Sequence, residues 1–175
     1  PVLLDPTRTS DFSPYRGMTA LTPNRAETEM ATGVRPVDDA TCRKAGRRLC
    51  DELDLEYVII TLDRDGMAAV EADGTLRRFP TRPMQVYDVA GAGDMVLAVL
   101  GLVLAAEGSI PEAVEIANHA GGLEVQQLGV TPLSRGEIVA SIREESEREG
   151  RRAVPLSTLQ GELLELLSAT LQLDG

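Results

Sequence analysis

The sequence is poor in the residues that build metal centres and nucleophilic triads. Among 175 residues there is no tryptophan, one histidine (His119) and two cysteines (Cys42 and Cys50). With a single histidine, we expect neither a zinc site nor a Ser-His-Asp triad. Eight helical residues separate the cysteines by about 12 Å, too far for a disulfide, so we expect reduced thiols in a cytoplasmic protein.

Positive charge is also scarce. The chain has 17 Lys and Arg residues against 28 Asp and Glu residues, a formal net charge of −11. Nucleic acids and anionic membranes reward clustered basic side chains, so we expect neither as a partner. A phosphorylated small molecule is not excluded, because a group of backbone N–H donors can hold an anion on an acidic protein.

Long apolar runs are missing as well. The longest, residues 95–106, falls short of the roughly 20 residues that a transmembrane helix needs. Pro1-Val-Leu-Leu-Asp5 has the pattern of a short buried strand and carries no initiator methionine. A buried strand needs a neighbour on each side, so we expect the chain to begin in mid-domain.

Strand and helix patterns alternate along the chain. Apolar, β-branched runs and a turn at 72–74 predict strands at 2–4, 18–22, 57–61, 67–71 and 76–79. Helical periodicity predicts helices at 24–32, 37–53, 94–106, 111–127, 135–149 and, after a linker, 156–171. The helix at 94–106 is apolar on all sides, which predicts that it is buried on most of them. The alternation predicts an α/β fold with a mainly parallel sheet.

Candidate site residues follow from this fold class, since ligands of parallel sheets bind beyond the carboxyl ends of the strands. The segments that follow predicted strand ends are Asp5, 22–27, 61–66 and 88–94.

The last of these segments ends in Gly91-Ala92-Gly93, directly before the apolar helix. Small residues let an anion approach the backbone amides at the positive end of a helix. Asp94 follows in the first turn, where it could take a proton from a hydroxyl that attacks a phosphoryl group. A plainer interpretation stays open, in which Asp94 is a helix cap and the glycines form a tight turn.

Three segments together resemble the ribokinase-like (PfkB) family of carbohydrate kinases. Asp88-Val-Ala-Gly-Ala-Gly-Asp94 is similar to the family signature Asp-Thr-x-Gly-Ala-Gly-Asp. Thr22-Pro-Asn24-Arg-Ala-Glu27 is similar to its Asn-x-x-Glu motif, and residues 58–67 to the strand and turn beside the nucleotide. The resemblance implies that residues 1–150 are the carboxyl-terminal half of a three-layer α/β/α kinase domain with a mainly parallel sheet.

The resemblance implies catalytic roles for the glycine segment. Asp94 would be the general base, and the amides of Gly91, Ala92 and Gly93 would form the anion hole for the transferred phosphoryl group. Asp88 would help to order a loop that binds a monovalent cation such as K⁺, or would simply support the turn.

The resemblance also implies ATP and Mg²⁺ as cofactors. Asn24 and Glu27 would hold the Mg²⁺ and its waters, since hard oxygen ligands suit this ion. Thr61 and Gly66 would line the nucleotide cleft, and Asn118 would lie near the adenine.

Two positions depart from the family pattern. Val89 stands where Thr is usual, a change that also occurs in the heptose branch of the family. Asp63 stands where a glycine is common, and it brings a negative charge near the phosphate path. The second departure weakens the nucleotide assignment of that turn.

Within the family, the sequence is most similar to the branch that phosphorylates D-glycero-D-manno-heptose 7-phosphate at its anomeric hydroxyl, a step toward ADP-heptose and the lipopolysaccharide core. The similar segments are 2–6, 11–17, 22–24 and 127–131, although Thr7 stands where Lys is frequent. Residues 151–175 resemble a linker and Leu-rich helix that lead toward a nucleotidyltransferase domain.

Other interpretations stay open. A ribokinase- or fructokinase-like enzyme could act on another sugar, because the sugar-contacting residues of the family come mostly from an amino-terminal half and lid that this sequence lacks. If the chain exists alone, it would be an inactive nucleotide-binding or assembly module, with the helix at 156–171 as its contact surface. Family members often form homodimers through the lid, so the resemblance also raises a homodimer.

Overall fold

The computed structural model of the protein describes residues 1–81, 91–126 and 134–148. The predicted linker at 151–155, the helix at 156–171, and Asp88 and Val89 of the glycine motif lie outside the described residues. The strands are β1 (Leu3–Leu4), β2 (Ala20–Leu21), β3 (Tyr57–Thr61), β4 (Met67–Glu71) and β5 (Leu76–Phe79). The helices are α1 (Arg25–Thr32), α2 (Asp39–Leu53), α3 (Ala92–Ala105), α4 (Ile110–Glu124) and α5 (Arg135–Arg148).

The strands form one sheet in the order β1-β2-β3-β4-β5. β1, β2 and β3 are parallel, with Leu4 opposite Leu21 and Leu21 opposite Val58. β4 and β5 continue the sheet as the predicted antiparallel hairpin. The prediction of an α/β fold is confirmed, and its parallel part is the one that carries the candidate site.

Alternate residues of the central strands enter two separate cores. On one face, Ile59 and Met67 pack against α3 and α4 through Val96, Leu100 and Val114. On the other face, the core consists of side chains from β2, β3, β4, α2 and the loop before β2: Phe12, Leu21, Leu49, Val58 and Ile60. Successive side chains of a strand point to opposite faces of the sheet, and here both faces are apolar. Helices cover each face, so the sheet is the middle layer of an α/β/α sandwich.

Capping residues set the helix boundaries. Asp38 and Thr41 form a reciprocal capping box at the start of α2, and Ser109 and Glu112 form another at the start of α4. Such boxes satisfy first-turn amides that have no partner within the helix. Gly33 ends α1 in the left-handed conformation, with φ of +69°. The sequence predicted these boundaries to within one to three residues.

The apolar helix α3 is less enclosed than its composition predicts. Val96, Val99, Leu100 and Val103 are buried against the sheet and α4. Leu102 is 42% exposed. No described element covers that side of the helix, so the expectation of burial on most sides is not met within the described residues.

Both cysteines are unpaired and buried, as reduced core thiols should be. Burial raises the pKa of Cys50 to about 12, and its Sγ lies 3.8 Å from Val70 O. Burial also raises the pKa of Cys42, so neither thiol is a nucleophile at neutral pH. Within residues 1–81, 91–126 and 134–148, no helix has the length and apolar character that crossing a membrane requires.

Gly66, in the turn between β3 and β4, occupies a position that other residues cannot take. Its φ is +82°, and a Cβ atom there would lie 1.9 Å from Phe79 O and 2.5 Å from Thr81 N. Gly33 has a similar φ of +69°, but an added Cβ would meet nothing within 4 Å. Gly66 therefore combines a steric clash with a backbone conformation, φ of +82° and ψ of −133°, that is essentially restricted to glycine, whereas Gly33 has only the milder strain of the left-handed region.

We expect Gly66→Ala to lower the free energy of unfolding by about 3 kcal/mol or more, because the β5 backbone must move. Gly33→Ala should cost about 1–2 kcal/mol, the strain of a left-handed non-glycine residue. Urea unfolding of the two variants of the full-length protein measures both losses. Equal losses would contradict the close approach of β5 to this turn.

Candidate functional site

The carboxyl ends of the parallel strands meet at one edge of the sheet. Asp5 follows β1, Thr22 follows β2, and Thr61 ends β3. The Thr22 hydroxyl donates to Asp5 Oδ1 at 3.1 Å, and the Thr61 amide donates to Pro23 O at 3.0 Å. Hydrogen bonds therefore connect the ends of β1, β2 and β3 beyond the residues that pair within the sheet.

The amino terminus of α3 reaches the same edge. A Cβ atom on Gly93 would lie 3.7 Å from Asp5 Oδ2, so the first turn of α3 packs beside the end of β1. Gly91 is the N-cap with φ of +89°, and no side chain caps the helix. First-turn amides have no acceptor within their own helix, so those of Ala92 and Gly93 suit an anion. Asp94 lies in this turn with an exposed side chain.

Negative charge gathers around this turn. Burial raises the pKa of Asp5, the hydrogen bond from Thr22 lowers it, and the negative charges of Glu27 and Asp94 raise it again. The Asp5 side chain remains exposed, so folding removes only part of the hydration of its carboxylate. Within the described residues, no group of three or more His, Cys, Asp or Glu side chains could itself hold a metal ion. The edge is therefore an acidic surface without a preformed metal cage in its described part.

Asn24 and Glu27, the predicted magnesium residues, form the capping box of α1. Asn24 Oδ1 accepts from the Glu27 amide at 3.0 Å, and Glu27 Oε2 accepts from the Asn24 amide at 2.9 Å. Glu27 is also buried, with 7% of its surface exposed. Because the cap engages one oxygen of each side chain, the pair suits contact with the waters of Mg²⁺ better than a set of direct ligands.

The turn after β3 carries the residue that departs from the family pattern. Asp63 begins a single 3₁₀ turn, Asp63–Asp65, with φ of +52°. A positive φ favours glycine, which accounts for the frequency of glycine there, and aspartate is among the residues that tolerate it. The backbone therefore keeps the glycine conformation, and only the added charge needs a partner.

Arg25, in the first turn of α1, supplies that partner. Its Nε lies 3.3 Å from Asp63 Oδ2, and its guanidinium also pairs with Asp65. The same group donates to Leu62 O at 3.1 Å and to Pro36 O. One side chain, 14% exposed, thus neutralises the turn and fixes it to α1. Arg25 was not predicted from the sequence, although its place inside the Asn-x-x-Glu segment was a signal.

Asn118 joins α4 to the end of β5. Its Oδ1 accepts from the Thr81 hydroxyl at 3.2 Å, and its Nδ2 donates to Pro80 O at 3.0 Å. β5 runs parallel to β3, so Asn118 also lies near the carboxyl edge. The structure therefore brings the predicted residues within its described part to one edge: Asn24, Glu27, Thr61, Gly66, Gly91, Ala92, Gly93, Asp94 and Asn118.

Two acidic residues stand apart from this set. One was predicted but lies outside the described residues, and the other is described but was not predicted. Asp88, the predicted cation-loop residue, lies outside them. Glu124, at the end of α4, was missed; it is 3% exposed, and its pKa is raised by burial and by the charge of Asp94. The available signal was one acidic residue in the largely apolar last turn of a helix.

One cavity among the described residues lies away from this edge. It measures about 440 Å³ and opens between the loop at 10–16 and the last turns of α2. Asp51 and Glu52 line it, and Arg16, its one cationic residue, donates to Glu52 O. It brings together none of the residues of the glycine, Asn-x-x-Glu or 61–66 segments, so the exposed carboxyl edge remains the candidate site.

The sequence matches a known protein family. Residues 1–135 match the family model described as "pfkB family carbohydrate kinase", which is more than half of the chain. The chain belongs to the PfkB carbohydrate kinase family. This finding confirms the resemblance that the glycine, Asn-x-x-Glu and 58–67 segments indicated.

Curated relatives are similar over most of this chain. "Bifunctional protein HldE" of Geobacter sulfurreducens is 42% identical over 142 residues, which cover 81% of this chain and 29% of the relative. The protein of the same name from Campylobacter curvus is 38% identical over 164 residues, covering 94% and 34%. The chain thus spans about a third of the length of these relatives.

A solved structure shares the fold. Arabidopsis thaliana ribokinase, complexed with ribose and ATP, superposes with a TM-score of 0.71 over 81% of this chain and 47% of that chain. The sequence identity is 24%, so the likeness establishes the ribokinase-like fold alone.

Removal of Arg25 should destabilise the turn after β3. We expect Arg25→Met to lower the free energy of unfolding by about 1–2 kcal/mol, because it removes the donor to Pro36 O, while the largely exposed carboxylates of Asp63 and Asp65 add little. The control Arg47→Met removes an exposed i,i+4 pair with Asp51 and should cost less than about 0.5 kcal/mol. Urea unfolding of the full-length variants measures both, and similar small losses would contradict the role of Arg25.

Proposed function

We propose that the protein transfers the γ-phosphoryl group of ATP to a sugar hydroxyl, with D-glycero-D-manno-heptose 7-phosphate as the acceptor and its 1,7-bisphosphate as the product. One observation carries the proposal. The exposed carboxylate of Asp94 shares a helical turn with amides that no side chain caps, at the carboxyl edge of the sheet. A proton acceptor and an anion site side by side are what phosphoryl transfer to a hydroxyl needs.

Asp94 acts as the general base in this proposal. Its carboxylate accepts the proton of the anomeric hydroxyl as that oxygen attacks the γ-phosphorus. The new oxygen–phosphorus bond forms while the bond to the β-phosphate oxygen breaks, and ADP leaves with that electron pair. The exposure of Asp94 suits the role, because the acceptor hydroxyl must reach the carboxylate.

The amides of Gly91, Ala92 and Gly93 form the anion hole. They lie at the positive end of α3, a helix of 14 residues. Fixed donors aimed at the developing charge need no reorganisation during transfer. They also offset the repulsion between Asp94 and the phosphoryl group, which share this small region.

The nucleotide lies along the ends of β2, β3 and β5 in this proposal. Asn24 and Glu27 contact the waters of the Mg²⁺ that accompanies ATP and neutralises part of its phosphate charge. Thr61, Gly66 and Asn118 line the cleft. Because Arg25 pairs with Asp63, the extra carboxylate of the turn need not exclude phosphate.

The choice of sugar rests on the heptose-branch segments of the sequence and on relatives that carry the name "bifunctional". We further propose that residues 151–175 connect this half domain to a second catalytic domain, and that the protein acts in the cytoplasm. A homodimer and a monovalent cation held with the help of Asp88 belong to the same proposal.

The test is ADP release by the complete polypeptide that contains this chain, with ATP, Mg²⁺ and D-glycero-D-manno-heptose 7-phosphate. Asp94→Asn should lower kcat by about 10²- to 10⁴-fold, because the base is lost with little change in shape. Asp54→Asn makes the same change at an exposed residue after α2, at the opposite edge of the sheet, and should leave kcat unchanged.

Ribose and fructose 6-phosphate are run as alternative acceptors. Turnover on one of them but not on the heptose would overturn the substrate and keep the base. A folded protein that binds ATP without turnover on any sugar would favour a binding or assembly module instead.

A further inference from the structure

Glu124 has a buried carboxylate, one oxygen of which lacks a hydrogen-bond partner. It is 3% exposed, and its Oε2 has no hydrogen-bond partner among the described residues. A buried carboxylate without a partner costs stability, and the cost is larger when the group is charged. It also stands in the last turn of α4, where the negative end of a helix disfavours an acidic side chain. The position is therefore unfavourable for folding, which points to a functional reason.

The end of α4 packs against the start of α3. A Cβ atom on Gly121 would lie 3.2 Å from Val96 Cγ2 and 4.0 Å from Ala92 O. Gly121 and Glu124 are three residues apart and therefore share a helix face. Glu124 thus lies beside the turn that carries the proposed anion hole and Asp94.

Among the described residues, Asp94 on α3 is the one whose charge shifts the pKa of Glu124. No described charged group of α5, which also packs on α4, contributes. Burial, then the charge of Asp94, raises the pKa of Glu124 above its ordinary value of 4.5. A further anion near the first turn of α3 should favour the protonated form again.

We infer that Glu124 is a positioning residue that takes up a proton when a phosphate group occupies the amino terminus of α3. The inference rests on the proposed function, which puts the nucleotide phosphates there. Protonation removes a buried negative charge from beside the phosphate, and no bond other than the carboxyl O–H is formed. Linkage makes the effect reciprocal: phosphate binding favours the proton, and the proton favours phosphate binding.

The inference predicts a pH dependence of nucleotide affinity. Below the pKa of Glu124 the carboxyl is neutral and phosphate binds without repulsion. As the pH rises through that pKa the group ionises, and ATP affinity should fall by up to tenfold per pH unit. In Glu124→Gln the side chain is neutral at every pH, so this part of the decrease should disappear.

The experiment is titration calorimetry of ATP with Mg²⁺ into the full-length protein, in buffers of different ionisation enthalpy. Proton uptake per bound nucleotide should be greater in the wild type than in Glu124→Gln, by up to one proton. The nucleotide's own ionisation cancels, since it is common to both proteins. Glu115→Gln, an exposed change on the same helix, should behave as the wild type does.

Equal proton uptake in wild type and Glu124→Gln would overturn the inference, as would an affinity loss independent of pH, which a structural role would give. If Glu124→Gln lost a requirement for a monovalent cation while its proton uptake stayed as in the wild type, the inference would also be overturned. The Glu124 carboxylate would then be a cation ligand. Asp94→Asn separates the two proposals. Full turnover of that variant contradicts the proposed base, whereas its inactivity beside an unchanged Glu124→Gln contradicts only the role of Glu124.

A stability measurement tests the same group without nucleotide. Because the folded state raises the pKa of Glu124, the wild type should lose stability relative to Glu124→Gln as the pH rises from about 4.5 through the raised pKa. Unfolding midpoints across this range report the difference. A constant difference at all pH values would show that Glu124 does not hold its proton more tightly in the fold, and would overturn the inference.

Discussion

The site depends on the packing of the amino terminus of α3 beside the carboxyl end of β1. Gly93 makes this approach, with Asp5 Oδ2 only 3.7 Å from where its Cβ would be. The parallel pairing of β1, β2 and β3 brings three strand ends to the same edge, and the uncapped turn of α3 completes it. Helix α3 contributes Asp94 and the uncapped first-turn amides, and the strand ends contribute the side chains beside them, among them Asp5 and Thr22.

The edge combines strong negative charge with features that suit anion binding. Asp5, Glu27, Asp94 and Glu124 influence one another electrostatically, directly or through a shared neighbour. The amides of α3 offset part of this charge, and Arg25 offsets the carboxylates of the turn after β3. The proposed function therefore requires no basic patch, since backbone donors at the start of α3 would bind the phosphate at close range.

The sequence predicted the regular elements well because local signals determine them. Tyr57–Thr61 is an unbroken apolar run, and Gly33 marks a helix end that the structure confirms. The glycine segment was predicted as part of the site because its composition and its place before a helix have a chemical meaning. Arg25 and Glu124 were missed because their roles depend on partners distant in sequence: Arg25 meets Asp63 across two elements, and Glu124 meets the first turn of α3 only after α4 packs.

The most direct test of Asp94 as the base separates binding from transfer. Calorimetry gives the ATP affinity of Asp94→Asn in the presence of Mg²⁺, and rapid quenching gives the rate of one phosphoryl transfer from bound ATP. The role of Asp94 as the base predicts unchanged or tighter binding, because a negative charge beside the phosphate is removed, together with transfer slowed by about 10²- to 10⁴-fold. Binding lost together with transfer, or transfer at the wild-type rate, would contradict it.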